Sequence, residues 1–433
     1  MSSFQYDLLL QGGHLIDPKN RVDAVRDIAI QNGKIAAVAE LIDPSLALKT
    51  IDAAGLLITP GLVDIHVHAY ASTGERNSYA GDNSLFPDGF TLRSGVTTVA
   101  DTGSSGCRNF EDFKTHIIDR STTRVVAFLN IVGAGMRGSQ FEDNLADMDP
   151  KAAAEMARHY PDTIIGIKTA HYSGPEWTAV ERAVEAGAAI NKPVMVDFGA
   201  NHPERPIHVL LGEKLRYGDI YTHCYSGRRD ELLPDGKVNP GMWEGRKRGV
   251  IFDVGHGAGS FTWRVAVPAI EQGFLPDSIS SDLHIASMNA GMKDMPNVMS
   301  KFLALGLTVD QVVERSAWNP ARELRREELG NLSIGSVADV AVFRVEHGKF
   351  GFTDVYGARL DGDRKFVCEM TIKGGKIVYD LNGISRPDWR RLPPQYTEIG
   401  DSRWDGLNPG TGQLIEQLSG ARLHPTDGAS SRA

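Results

Sequence analysis

Val63-Asp64-Ile65-His66-Val67-His68 is an apolar, β-rich run that closes on two histidines. Side chains alternate along a strand, so His66 and His68 project from one face about 7 Å apart and can converge on one ion. Alone, a His-x-His pair is a weak signal, because two strand histidines can be ordinary polar surface. Its context strengthens it. Apolar, β-rich runs recur at residues 96–100, 125–131, 164–167, 194–198, 220–224, 250–254 and 278–281. Each is followed by a loop and then a helical pattern, as at 152–158, 177–186 and 309–317. Eight strand–helix units between residues 59 and 325 predict an α/β chain with a (β/α)8 TIM-type barrel. No Gly-rich phosphate loop follows the first strand, which argues against a doubly wound sheet.

The ends of the chain read differently. Short strands at 7–11, 27–30 and 34–38 are punctuated by Gly12-Gly13 and Asn32-Gly33, and an Asn-Gly pair between apolar runs predicts a hairpin. The pattern returns at 338–343, 366–372 and 376–379, around Gly374-Gly375. Residues 1–58 and 326–385 are therefore expected to build one small β-sandwich beside the barrel at 59–325. Residues 386–433, rich in Pro, Arg, Gly and Ser, are expected to form a surface tail with a disordered end.

Composition narrows the function. Of 433 residues, 41% are hydrophobic and 23% charged, the ordinary range for a globular chain. A formal net charge of −9 gives no electrostatic reason to expect nucleic acid or an anionic membrane. Arg246-Lys247-Arg248 reads as a solvated helix end. There is no run of 18 apolar residues and no secretory leader pattern. The three scattered cysteines, Cys107, Cys224 and Cys368, form no disulfide framework and suit a reducing cytosol. The expectation is a soluble cytoplasmic enzyme acting on a small molecule, with self-association left open.

Barrel enzymes carry their chemistry where strands end at the C-terminal face. Besides His66 and His68, Lys168 closes the fourth run in Gly166-Ile167-Lys168-Thr169, His202 lies in the loop after the fifth, His223 ends the sixth, and Asp282 follows the eighth. A lysine after an apolar strand can simply snorkel to solvent. Buried and neutral, it can instead add carbon dioxide and become a carbamate able to bridge two cations. His202 is preferred to His208, which falls on the following helix. Asp282 could be a helix cap, but opposite these ligands it is better placed to bind an ion and to move protons. His171, Tyr172, His256, Ser260 and His284 lie on loops over the same face and are candidates for gripping the substrate.

These residues resemble the amidohydrolase superfamily over nearly the whole chain. Carrying the resemblance are Val-Asp-Ile-His-Val-His, the Gly-Ile-Lys stretch at Lys168, Thr-His at His223, Ser-Ser-Asp-Leu-His around Asp282, and Pro60-Gly61-Leu62. Trp318-Asn319-Pro320-Ala321 and residues 335–343 add to it. More narrowly the chain is similar to the dihydroorotase-like amidohydrolase/deacetylase group, through Asp101–Ser104 and His256–Phe261. The resemblance implies two divalent ions, usually zinc: His66, His68 and Asp282 on one, His202 and His223 on the other, carboxylated Lys168 between. It implies hydrolysis of an acyl ester or amide of a small carboxylate-bearing substrate by a metal-bridging hydroxide, with Asp282 as general base and acid. A basic residue is expected shortly after the lysine in this group, whereas Thr169-Ala170-His171 follows here. The main alternative is a cyclic amide hydrolase of dihydroorotase or hydantoinase type. A deaminase, typically with a single metal, and a non-catalytic scaffold are less well supported.

Overall fold

The computed structural model describes residues 4–197, 199–386 and 388–391. Seven parallel strands run in sequence order: Leu62–Val67, Val96–Gly106, Arg124–Asn130, Ile164–Thr169, Val194–Val196, Ile220–Tyr221 and Ile251–Phe252. The expected eighth run pairs only through isolated bridges, Ser278 with Asp253 on one side and Leu283 with Val67 on the other. Those bridges close the barrel. His68 N–H donates to the Leu283 carbonyl at 2.9 Å, and Val254 N–H donates to Ser278 at 3.2 Å.

The barrel strands are apolar on both faces because helices cover the outside and side chains fill the inside. Leu62–Val67 and Ile164–Thr169 are buried at every position. Val63, Ile65, Val126, Phe128, Met195 and Ile220 share one cluster with Leu324 and Leu329, which plugs the N-terminal end. Pairing between the first two strands is irregular between Asp64 and Val67, where the inward face passes from Ile65 to His66. This break lets both histidines reach the mouth, although strict alternation from Ile65 would turn them outward.

Helices start where their caps dictate. Asp149 accepts from Lys151 N–H at 2.8 Å and precedes Pro150, the first residue of helix Pro150–His159. Its small face, Ala153, Ala154 and Ala157, is buried. Asp294 caps Met295–Ala304 in the same way.

The second sheet has eight strands from both chain ends, and its core joins Leu8, Leu10, Ile28 and Ile30 to Val340, Val342, Met370 and Ile372. Strand Leu57–Pro60 stitches the halves together, pairing parallel with Tyr6–Asp17 and antiparallel with Val340–Thr353. Asn32 and Gly33 take φ of 51° and 72°, the positive values a two-residue hairpin turn needs. Cys107, Cys224 and Cys368 are free thiols. No helix among the described residues is long and apolar enough to cross a membrane. Residues 392–433 of the expected tail lie outside the described residues.

Candidate metal centre

His66, His68 and Asp282 meet at the C-terminal mouth of the barrel, their ligating atoms all within 4.8 Å of one another. Asp282 Oδ1 lies 3.2 Å from His68 Nε2 and 3.7 Å from His66 Nε2. The hydrogen bonds behind His66 fix its tautomer. The Thr222 hydroxyl donates to Asp253 at 2.7 Å, so it accepts from His66 Nδ1–H at 2.9 Å, which leaves Nε2 with a lone pair toward the site. Asp253 is itself held by Ser278 and Ser280. Burial pulls the pKa of His66 down to about 4 and of His68 to about 3, so both rings are neutral donors at ordinary pH. Asp282 is buried too, but His284 and His66 beside it outweigh that burial and hold its carboxyl well below the usual range.

Lys168 stands in the same cavity. Its Nζ is buried and makes no hydrogen bond among the described residues, and Asp282 Oδ1 has none there either. Burial lowers the lysine pKa despite the pull of Asp197, Asp282 and Asp253. An amine and a carboxylate oxygen left unsatisfied in the interior cost free energy unless another group completes them. Divalent cations, with a carbamate on the lysine, fit that donor set. On the far side, His223 Nδ1–H donates to the Gly255 carbonyl at 2.6 Å, leaving Nε2 to face Asp197 Oδ2 at 3.4 Å. His171 Nε2 approaches the same oxygen at 3.2 Å. Arg229, buried, donates to Asp197 Oδ1 at 2.6 Å.

The backbone is strained where these groups sit. Asp282, His223 and His171 have φ of 50°, 64° and 57°, a region that non-glycine residues seldom occupy and that costs about 1–3 kcal/mol each. Gly257 packs against the carboxylate so closely that a Cβ there would fall 2.2 Å from Asp282 Oδ2.

No family model matches the chain. A deacetylase of Brucella anthropi is 32% identical over 374 residues, spanning 84% of this chain and 90% of its own. A deacetylase of Agrobacterium fabrum is 34% identical over 364 residues, 82% of this chain and 87% of its own. A crystal structure of a dihydroorotase superposes with a TM-score of 0.75 at 32% identity, covering 86% of this chain and 97% of the other. This chain belongs to the amidohydrolase superfamily. It is a hydrolase of the metal-dependent amidohydrolase kind, with relatives named deacetylase and dihydroorotase.

In this amidohydrolase the cavity measures about 190 Å3, room for a small substrate only. His66, His68, Lys168, His223 and Asp282 line it together, with His171, Ser260 and His284. His202 does not. Its Nε2 lies 2.6 Å from the Ser173 carbonyl, away from the cluster, and Asp197 faces His223 instead. Two of the loop candidates also point elsewhere. The Tyr172 hydroxyl donates to Glu176 at 2.5 Å, and buried His256 stacks on Phe261 and pairs with Lys301 Nζ at 2.6 Å.

Sequence reasoning missed Asp197, Tyr79 and Arg228, which also line the cavity. Asp197 follows the fifth strand directly, the same strand-end position that yields candidate ligands on the first, sixth and eighth. A search by position rather than for histidine finds it. Tyr79, 4.3 Å from the His68 ring, and Arg228 lie on loops with no such signal.

Proposed function

We propose that this amidohydrolase removes an acyl group, by ester or amide cleavage, from a small carboxylate-bearing substrate such as an acetylated α-hydroxy acid or an N-acyl amino acid. One observation carries the reading: buried Lys168 Nζ and Asp282 Oδ1, both without hydrogen bonds among the described residues, share a small cavity with imidazoles whose lone pairs face inward. His66, His68 and Asp282 would hold one divalent ion. His223 and Asp197 would hold a second, with carboxylated Lys168 between. Zinc suits the imidazole and carboxylate donors. When bound, the ions supply Lewis acidity at the scissile carbonyl and lower the pKa of water.

The chain's own part is proton handling and orientation. Asp282 accepts a proton from the attacking water and returns it to the leaving group. His284 beside it keeps it ionised for the first of those tasks. His284 Nδ1–H donates to the Asp282 carbonyl at 2.7 Å, which fixes the ring over the cavity beside Tyr79. The named deacetylase relatives support the open-chain reading, and the dihydroorotase likeness supports ring opening of a cyclic amide as the second reading.

A substrate panel separates the two. Zinc-loaded protein with bicarbonate is offered acetylated α-hydroxy acids and N-acyl amino acids in both configurations, beside dihydroorotate and hydantoins. Acid release from an open-chain acyl compound is the expected result. Ring opening alone would replace the deacylase reading with the cyclic amidase.

A further inference from the structure

Residues 227–230 place two arginines in succession at the mouth of the cavity, and they do different work. Arg229 turns inward, buried, and is committed to Asp197. Arg228 is exposed and lines the cavity. Its Nε donates to the Gly259 carbonyl at 3.0 Å, which anchors the guanidinium across the mouth. No carboxylate among the described residues pairs with it, so Nη1 and Nη2 remain open. Gly259 leaves room for this pose: a Cβ there would stand 3.0 Å from Arg228 Nη2. Lys168 and His171, which line the cavity too, are not open in this way, and His284 has its Nδ1 committed to the Asp282 carbonyl. The Lys168 amine is enclosed among the candidate ligands, and His171 has both ring nitrogens against carboxylates, Glu142 at 2.7 Å and Asp197 at 3.2 Å.

We infer that Arg228 is the specificity residue that binds the substrate's carboxylate, presenting its two terminal nitrogens to the two carboxylate oxygens while Asp282 faces the scissile group. The inference rests on the deacylase reading for the reaction, but carboxylate binding can be measured apart from turnover. A guanidinium whose Nε is already tied down has its fork pre-oriented, and a bidentate, charge-assisted pair is the strongest contact such a rim can offer. A neutral carboxamide cannot reproduce it. Ser260, on the loop that anchors Arg228, lines the same cavity and would sit beside the bound carboxylate.

The test titrates the zinc-loaded full chain with lactate and with lactamide, in wild type and in Arg228→Met, and separately compares kcat/KM for an N-acetyl amino acid and its carboxamide. Wild type should bind lactate more tightly than lactamide, and Arg228→Met should weaken lactate about 10- to 100-fold while the preference collapses. In kinetics the loss should appear mainly in KM for the acid. Arg228→Lys should recover part of the affinity. Equal binding of the two probes by wild type, no binding of either, or lactate binding unchanged in Arg228→Met would overturn the assignment. Hydrolysis of neither acyl compound, with the lactate difference intact, would sink the deacylase reading and leave the carboxylate site standing.

Discussion

Asp197 Oδ2 lies 3.4 Å from His223 Nε2, while Asp197 Oδ1 is held at 2.6 Å by the buried guanidinium of Arg229. One oxygen is therefore tied to the scaffold, and the other faces the cavity between His223 and His171, whose Nε2 lies 3.2 Å away. This arrangement puts a carboxylate where a histidine was expected, and His202 lies off the cavity against the Ser173 carbonyl. Asp197→Ala should lower bound metal from about two ions per chain to about one, and His202→Ala should leave the metal content as in wild type. Metal analysis of the two purified variants checks this. Loss of metal from His202→Ala alone would reverse the assignment.

The proposed chemistry gives Asp282 two tasks, and its amide analogue separates them. Asp282→Asn keeps an oxygen for the ion but cannot take a proton. Turnover should fall about 100- to 10,000-fold while most of the metal remains. Near-normal kcat in a metal-replete variant would remove Asp282 from the proton path.

Gly257 is glycine for two reasons: φ is 58°, and a side chain would collide with Asp282 Oδ2 at 2.2 Å. Gly257→Ala should cost about 1–3 kcal/mol of stability and displace the carboxylate, so activity should fall further than thermal stability does. Thermal melts and assays on one preparation measure both. Full activity would show that the loop moves freely.

The Lys301–His256 pair gives the fold a pH dependence that can be isolated. Lys301 donates to His256, to the Gly291 carbonyl at 2.7 Å and to the Thr353 carbonyl at 2.8 Å. Burial lowers its pKa from 10.5 to about 7, against the pull of Asp354 and Asp294. Between these values the unfolded chain binds the proton that the folded one has released, so stability should rise with pH across that window. The penalty is complete below pH 7 and gone above 10.5. The melting temperature of Lys301→Met should lack this rise relative to wild type. Parallel curves for the two proteins would contradict it.

Much of this was legible in sequence because the signals are local. An apolar run ending in a polar residue reads directly as a barrel strand with a candidate ligand, and His66, Lys168, His223 and Asp282, which line one cavity, all follow that rule. Asp197 obeys it as well, yet it escaped a reading that looked for imidazole. The eighth strand was visible as residues 278–281, although its closure rests on isolated bridges. Less visible were features that depend on distant chain: Leu57–Pro60 pairing with residues 340–343, and the loops that bring Tyr79 and Arg228 over the mouth. Local propensity does not encode such meetings. His256 misled for a related reason: its loop lies beside Asp282, but burial turns the ring toward Lys301 and Phe261.

The proposed chemistry rests on a two-ion centre bridged by carboxylated Lys168. Its most direct test is elemental analysis of the full chain expressed with zinc and bicarbonate, with intact mass measured under non-denaturing conditions. Expected are about two divalent ions per chain, an added carbon dioxide that is absent from Lys168→Ala, and loss of both metal and turnover on chelation. A fully active chain with no bound metal, or an unmodified Lys168 in a two-ion enzyme, would contradict it.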